Sequence, residues 1–195
     1  DHAIGRLRAA GVERIVVNTH YHADQVEAAV GPDITTIFEP EILETGGGLQ
    51  AALPLFDPGP LLTVNPDALW DPASDPWDAL ARRWDPAASD ACLLLVPRHR
   101  AQGTTSLGDF DLNAAHQLLR RAEQPTAHFI YSGLQVLNPQ ALAEMPTGSF
   151  SLNLLWNKFA DEGRLHGTVL EADWIDVGNP EGLRLANAMM ERDDV

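Results

Sequence analysis

Apolar residues Ile4 and Leu7, with Ala3 and Ala10, recur at helical spacing and stop at Gly11, so the chain opens on a helix. Residues 14–18 form a short β-branched run, the pattern of a buried strand. A helix is predicted over 23–30, ended by Gly31-Pro32, and a second strand over 34–38. Gly46-Gly47-Gly48 then opens a helix over 49–55, and strands follow at 61–64 and 91–96. Short β-rich runs alternating with helices predict a parallel α/β sheet. The second half is less regular. Three prolines and two tryptophans over 71–86 read as loops around one short helix near 77–83. A short strand is expected at 108–112, a longer one at 128–137 with Gly133 as a bulge, and another at 165–170. Helices are expected over 151–162 and 180–191, the latter with Pro180 near its first turn. With no repeat and no low-complexity linker, 1–195 reads as a single domain.

Composition narrows the class. The 195 residues carry 28 Asp and Glu against 13 Lys and Arg, a formal charge of −15, with a pI near 4.6. That leaves no basic field to attract phosphates, so no nucleic-acid partner is expected. At 45% hydrophobic residues the chain can build a core. A single cysteine excludes a disulfide framework and suits a reducing, cytoplasmic setting. No apolar run approaches the roughly 20 residues needed to span a bilayer, so no membrane partner is expected.

Four stretches carry candidate chemistry. His20-Tyr-His22-Ala-Asp24 follows a strand, and two imidazoles and a carboxylate on one turn can hold a hydrolytic metal. It resembles the zinc-ligand motif of the metallo-β-lactamase family, although Gln25 stands where that family continues with His. The plain alternative is a polar connection with Asp24 at a helix start. The three glycines at 46–48 would let backbone approach a flat or phosphorylated ligand, or would be only a turn. Asn65-Pro66-Asp67 lies at the carboxyl end of a predicted strand, where open α/β sheets bind ligands and a carboxylate can meet Mg²⁺. Asp176, before the last helix, supplies a second carboxylate that could share that ion if the fold joins them.

Read in order, Leu43-Glu-Thr-Gly-Gly-Gly-Leu49, Val64-Asn-Pro-Asp67, Tyr131-Ser-Gly-Leu-Gln135 and Trp174-Ile-Asp-Val-Gly-Asn-Pro-Glu181 resemble the sugar-1-phosphate nucleotidyltransferase family. Asn179 replaces the usual Thr of the W-x-D-V-G-T-P-E pattern. Phe150-Ser-Leu-Asn153-Leu-Leu-Trp156 and Glu162-Gly-Arg-Leu-His-Gly167 are similar to the branch acting on N-acetylmuramate-1-phosphate in cell-wall recycling. The resemblance implies a Rossmann-like three-layer fold with a mixed, mostly parallel central sheet. It also implies transfer of UMP from UTP to a sugar-1-phosphate, releasing pyrophosphate. Asp67 and Asp176 would be catalytic and hold Mg²⁺. Thr45, Gly46 and Gly47, with Glu39 as a looser match, would meet the nucleotide. Asn65, Ser132, Gly133 and Asn153 would lie at the sugar.

The family's glycine-rich, Arg-bearing phosphate loop occurs nowhere in the 195 residues, and the resemblance starts at the helix that normally follows it. The expectation is therefore that the intact gene product carries that strand and loop before Asp1. The alternatives to the transferase are a zinc hydrolase on His20, His22 and Asp24, and a non-catalytic nucleotide-sugar binding protein. Cys92 reads as a core residue. Trp70, Trp77 and Trp84 read as packing before sugar stacking. Lys158, the only lysine, reads as a solvated side chain, and oligomeric state is left open.

Overall fold

The structure is a computed structural model that describes residues 2–193. Contacts gather the chain into two compact units, Asp1–Pro60 with Pro139–Lys158, and Leu61–Asn138 with Phe159–Val195. The first unit holds α1 (His2–Ala9), β1 (Val16–Thr19), α2 (Ala23–Val30), β2 (Thr35–Phe38) and α3 (Glu44–Ala52). β1 and β2 pair in parallel, Val16 opposite Thr35 and Thr19 opposite Phe38. α2 occupies the span read from its periodicity.

α3 begins earlier than the glycine pattern implied. Gly46, Gly47 and Gly48 lie inside the helix, buried, and do not form a loop before it. The cause is tertiary. The amides of Gly46 and Gly47 both donate to the Phe150 carbonyl (2.9 and 3.1 Å), and Phe150 N donates back to Leu43 O (3.1 Å). A β-carbon on Gly46 would collide with the Phe150 ring, and one on Gly47 with the Gly148 carbonyl. Glycine is used here so that residues 148–150 can lie directly on the helix.

The second unit contains β3 (Leu61–Val64), β4 (Ala68–Trp70), α4 (Pro76–Arg83), β5 (Ala91–Pro97), β6 (Ala101–Gln102), β7 (Phe110–Leu112), β8 (Leu118–Arg120) and β9 (Phe129–Leu137). After α5 (Asn153–Asp161) come β10 (Leu165–Val169), β11 (Trp174–Asp176) and α6 (Pro180–Asp193). The main sheet runs β10-β5-β9-β7-β8, with β3 also on β9, and a smaller one runs β4-β11-β6. β5 is buried along its whole length, as a strand of Ala, Cys, Leu and Val covered on both faces must be. Cys92 sits there at 0% exposure, and burial pushes its thiol up to about 12. Trp70 packs edge-on against Trp77 over the same core, which settles both as packing residues.

The α/β class is as expected and the central sheet is mixed. β5 and β10 are parallel, while β9 runs antiparallel to β5, β3 and β7. Among the described residues no helix is long and apolar enough to cross a membrane.

Candidate functional site

The site begins as a gap along one edge of β9. At its start Phe129 pairs with Phe110 of β7, and from Leu134 onward it pairs with β3. Between these partners the strand bulges. Its register against β5 shifts between Leu93 and Leu95, and Gly133 takes φ +86°. A left-handed residue in an otherwise apolar strand requires glycine. The backbone groups freed by the gap find partners from two sides. Gly133 O accepts Asn65 N (2.8 Å), and Tyr131 N donates to Asp109 Oδ2 (2.9 Å).

A cavity of about 190 Å³ opens over this gap, lined among others by Asn65, Asp67, Gly133 and Asp176. Asn65 to Ala68 is a turn closed by Ala68 N on Asn65 O (3.3 Å), with Pro66 at the position whose φ proline presets. Pro66 thus serves the turn that carries Asp67. β11 runs antiparallel to β4 and sets Asp176 opposite Ala68, next to Asp67, and Val177 N donates to Asp67 O (2.9 Å). Asn179 caps the helix that follows, its Oδ1 accepting Gly182 N (2.9 Å), so the replacement of Thr keeps a capping side chain.

Asp67 and Asp176 face one small space. A β-carbon added to Gly178 would stand 3.0 Å from Asp176 Oδ1 and 3.4 Å from Asp67 Oδ2. Burial first, then the neighbouring Asp176 charge, hold the Asp67 carboxyl above its ordinary value, against its own backbone amide, which acts the other way. Two hard oxygen donors converging where, among the described residues, no cationic side chain lines the cavity suit a divalent cation such as Mg²⁺. These residues therefore fit the ion that the family resemblance implies.

Not every expected residue reaches the cavity. Ser132 is fully buried: its hydroxyl donates to Leu94 O (3.0 Å) and its carbonyl accepts Trp174 Nε1 (3.0 Å). Gly133 is the member of that pair that lines the cavity. The remaining candidates belong to the first unit. Glu39 is 7% exposed with both carboxylate oxygens used, accepting from Asn18 Nδ2 (2.8 Å) and Leu43 N (3.1 Å). Thr45 is exposed, its Oγ1 accepting Leu152 N (3.0 Å). Asn153 donates from Nδ2 to Ser151 Oγ (3.0 Å) at the start of α5. Lys158 pairs with Glu144 (3.4 Å).

The zinc alternative finds no support. Among the described residues no three His, Cys, Asp or Glu side chains are grouped to hold a metal, and His20 Nδ1 is bonded to the Glu39 carbonyl (2.7 Å). Conversely, the sequence reading missed Thr104, Ser106 and Asp109, all on the cavity wall. The one signal for Asp109 was an acid at the head of a short strand, a common arrangement at any sheet edge.

Comparisons with known proteins bear on the family. Over 200 residues the chain is 37% identical to the N-acetylmuramate alpha-1-phosphate uridylyltransferase of Caulobacter vibrioides, covering 97% of this chain and 83% of that protein. The protein of the same name from Neisseria meningitidis serogroup B is 28% identical over 201 residues, covering 94% and 81%. Among solved structures, the inositol-1-phosphate CTP transferase from T. maritima superposes with a TM-score of 0.74 over 97% of this chain and 80% of its own, at 15% identity, a likeness of fold. No protein-family model matches the chain. The match to the Caulobacter protein covers nearly the whole chain, and on that ground the chain belongs to the sugar-1-phosphate nucleotidyltransferases.

Proposed function

We propose that this nucleotidyltransferase moves UMP from UTP onto a sugar-1-phosphate, N-acetylmuramate-1-phosphate first among them, in cytoplasmic cell-wall recycling. The observation that carries the chemistry is the convergence of Asp67 and Asp176 on one small space in a polar cavity. The choice of UTP and of the muramate acceptor rests on the likeness to the two bacterial relatives.

In the proposed reaction an oxygen of the sugar-1-phosphate attacks the α-phosphorus of the nucleotide. The bond to the oxygen bridging the α- and β-phosphorus breaks, and pyrophosphate leaves with that oxygen. Such a transfer needs positioning and charge neutralisation and no nucleophilic side chain. Asp67 and Asp176 would hold Mg²⁺, which when bound supplies positive charge to the phosphate oxygens. The Asn65–Ala68 turn and β11 fix where the two carboxylates stand. Thr45, exposed at the start of α3, is the proposed contact to base and ribose, with Gly46, Gly47 and Glu39 holding its segment in place. Gly133 leaves backbone and open space beside the acceptor.

The test is pyrophosphate release by the full gene product with Mg²⁺, across UTP, dTTP, GTP and CTP and a panel of sugar-1-phosphates. Turnover with UTP and N-acetylmuramate-1-phosphate is expected. Release only with another pair would reassign the substrates, and no release with any pair would favour a binding protein. Asp67→Asn and Asp176→Asn should each lower turnover on the order of 10²–10³-fold, as losing one preorganised electrostatic contact does. Their thermal transitions should stay cooperative. Full activity in either variant would remove that residue from the site.

A further inference from the structure

Part of the cavity wall has no role in the reaction as described. Beyond the pair at Asp67 and Asp176, the wall carries Thr104, Ser106 and Asp109. Asp109 opens β7's edge of the gap in β9. Its Oδ2 accepts Tyr131 N at 2.9 Å, and Oδ1 takes a long contact from Ser106 Oγ at 3.4 Å. An ordinary O–H···O bond is near 2.7–2.8 Å, so Oδ1 retains acceptor capacity for a stronger donor. Ser106 Oγ is itself held by Gly108 N (3.2 Å), and Thr104 Oγ1 by Ser106 N (3.1 Å), so the loop presents its hydroxyls in a fixed arrangement.

Two facts restrict what Asp109 can do. It joins no group of three potential ligands, so nothing among the described residues makes it part of a metal cage. Among the described residues no Lys, Arg or His lines the cavity, and Arg120, whose guanidinium feels the Asp109 charge, stands outside the lining, so a ligand anion beside Asp109 would meet the carboxylate before any cation. A neutral donor is what the position favours.

We propose that Asp109 is a specificity-determining residue on the acceptor side, accepting a hydrogen bond from a hydroxyl or acetamido N–H of the sugar. This rests on the transferase reading above and deepens it. The phosphate of the acceptor lies toward Asp67 and Asp176, and the sugar ring extends toward Asp109. An anionic substituent, such as the lactyl carboxylate of a muramate, points away from Asp109, because inside the cavity it would meet a second carboxylate while Arg120 lies outside the lining.

The discriminating variant is Asp109→Asn. It keeps a carbonyl oxygen for Tyr131 N, so the strap onto β9 survives while the charge is lost. The KM values for N-acetylmuramate-1-phosphate and for UTP, the turnover number and the thermal midpoint are measured for variant and parent. N-acetylglucosamine-1-phosphate, which lacks the lactyl group, is measured alongside as substrate or competitor. The expected result is weaker recognition of both sugar phosphates by roughly ten- to a hundredfold, the worth of one hydrogen bond to a charged acceptor, with KM for UTP unchanged. Tighter muramate recognition in the variant would show relieved repulsion and overturn the proposal. Unchanged acceptor recognition, or an equal change for UTP and acceptor, would make Asp109 a structural strap and also overturn it. If the parent turns over no sugar phosphate, the transferase reading fails separately, and calorimetric binding of the same two sugar phosphates to parent and Asp109→Asn decides the role of Asp109.

Discussion

Gly133 shows how much of the site hangs on one backbone conformation. At φ +86° a β-carbon costs about 1–2 kcal/mol from local sterics alone. Here it would also stand 2.9 Å from Asn65 Cβ and 3.0 Å from Ala68 Cβ, atoms tied directly to backbone. The residues that would have to move are those of the turn bearing Asp67. Gly133→Ala should therefore lower stability by about 1–3 kcal/mol in a urea titration, as overpacking does. It should reduce turnover by more than the folded fraction falls. An activity loss that merely tracks unfolding would show that the turn does not depend on this contact. The glycine was legible in the sequence because it interrupts an apolar strand. Its neighbour was not, since nothing in Tyr-Ser-Gly tells that Ser132 faces inward to Leu94 and only Gly133 meets the cavity. Glu39 is a similar case: the family resemblance alone suggested it for the nucleotide, and nothing in the sequence tells that its oxygens accept from Asn18 and Leu43.

At the scale of elements, two strands too short for any periodicity hold the site together. β4 and β11 have three residues each, and neither alternation nor a turn signal marks them, because both exist only by pairing with each other and with β6. The long apolar strands β5 and β9 were legible for the opposite reason: burial on both faces writes itself into composition. β11 is joined to β9 by one side chain, Trp174, whose indole N–H reaches Ser132 O in the bulge. Asp176 is thereby referenced to the same strand that holds the Asn65 turn through Gly133 O. Trp174→Phe removes that tie and leaves a buried carbonyl unpaired, which costs about 1–3 kcal/mol. If the tie positions Asp176, the Mg²⁺ concentration giving half-maximal activity should rise in Trp174→Phe. Trp70→Phe is the matched control. Trp70 lies opposite Trp174 in the strand pair, and its Nε1 is buried without a hydrogen-bond partner among the described residues. An equal Mg²⁺ shift in both variants would reduce the role of Trp174 to packing.

Across the whole molecule the dominant fact is the charge of −15, legible from composition, while the pairing of Asp67 with Asp176 came from the family resemblance, since sequence spacing alone could not join them. Such an excess repels itself, so added NaCl should raise the thermal midpoint by screening. Mg²⁺ should do more than screen. A ligand that binds only the folded state stabilises it by RT ln(1 + [L]/Kd), about 2.7 kcal/mol at a hundredfold excess over Kd. Because burial and Asp176 hold the Asp67 carboxyl above its ordinary value, cation and proton compete for it. The sign follows: in cation-free protein, ionising Asp67 as pH rises opposes folding, and a bound cation offsets that. The Mg²⁺ stabilisation should therefore shrink as pH falls through the range where Asp67 takes up its proton. Melts at matched ionic strength in NaCl and MgCl₂ separate the two effects. The expected outcome is an excess midpoint in MgCl₂ that disappears in Asp67→Asn and Asp176→Asn, while the NaCl increment persists in both. An excess that survives in Asp176→Asn would mean that the ion binds the acidic surface at large, and the paired carboxylates would lose their claim to it.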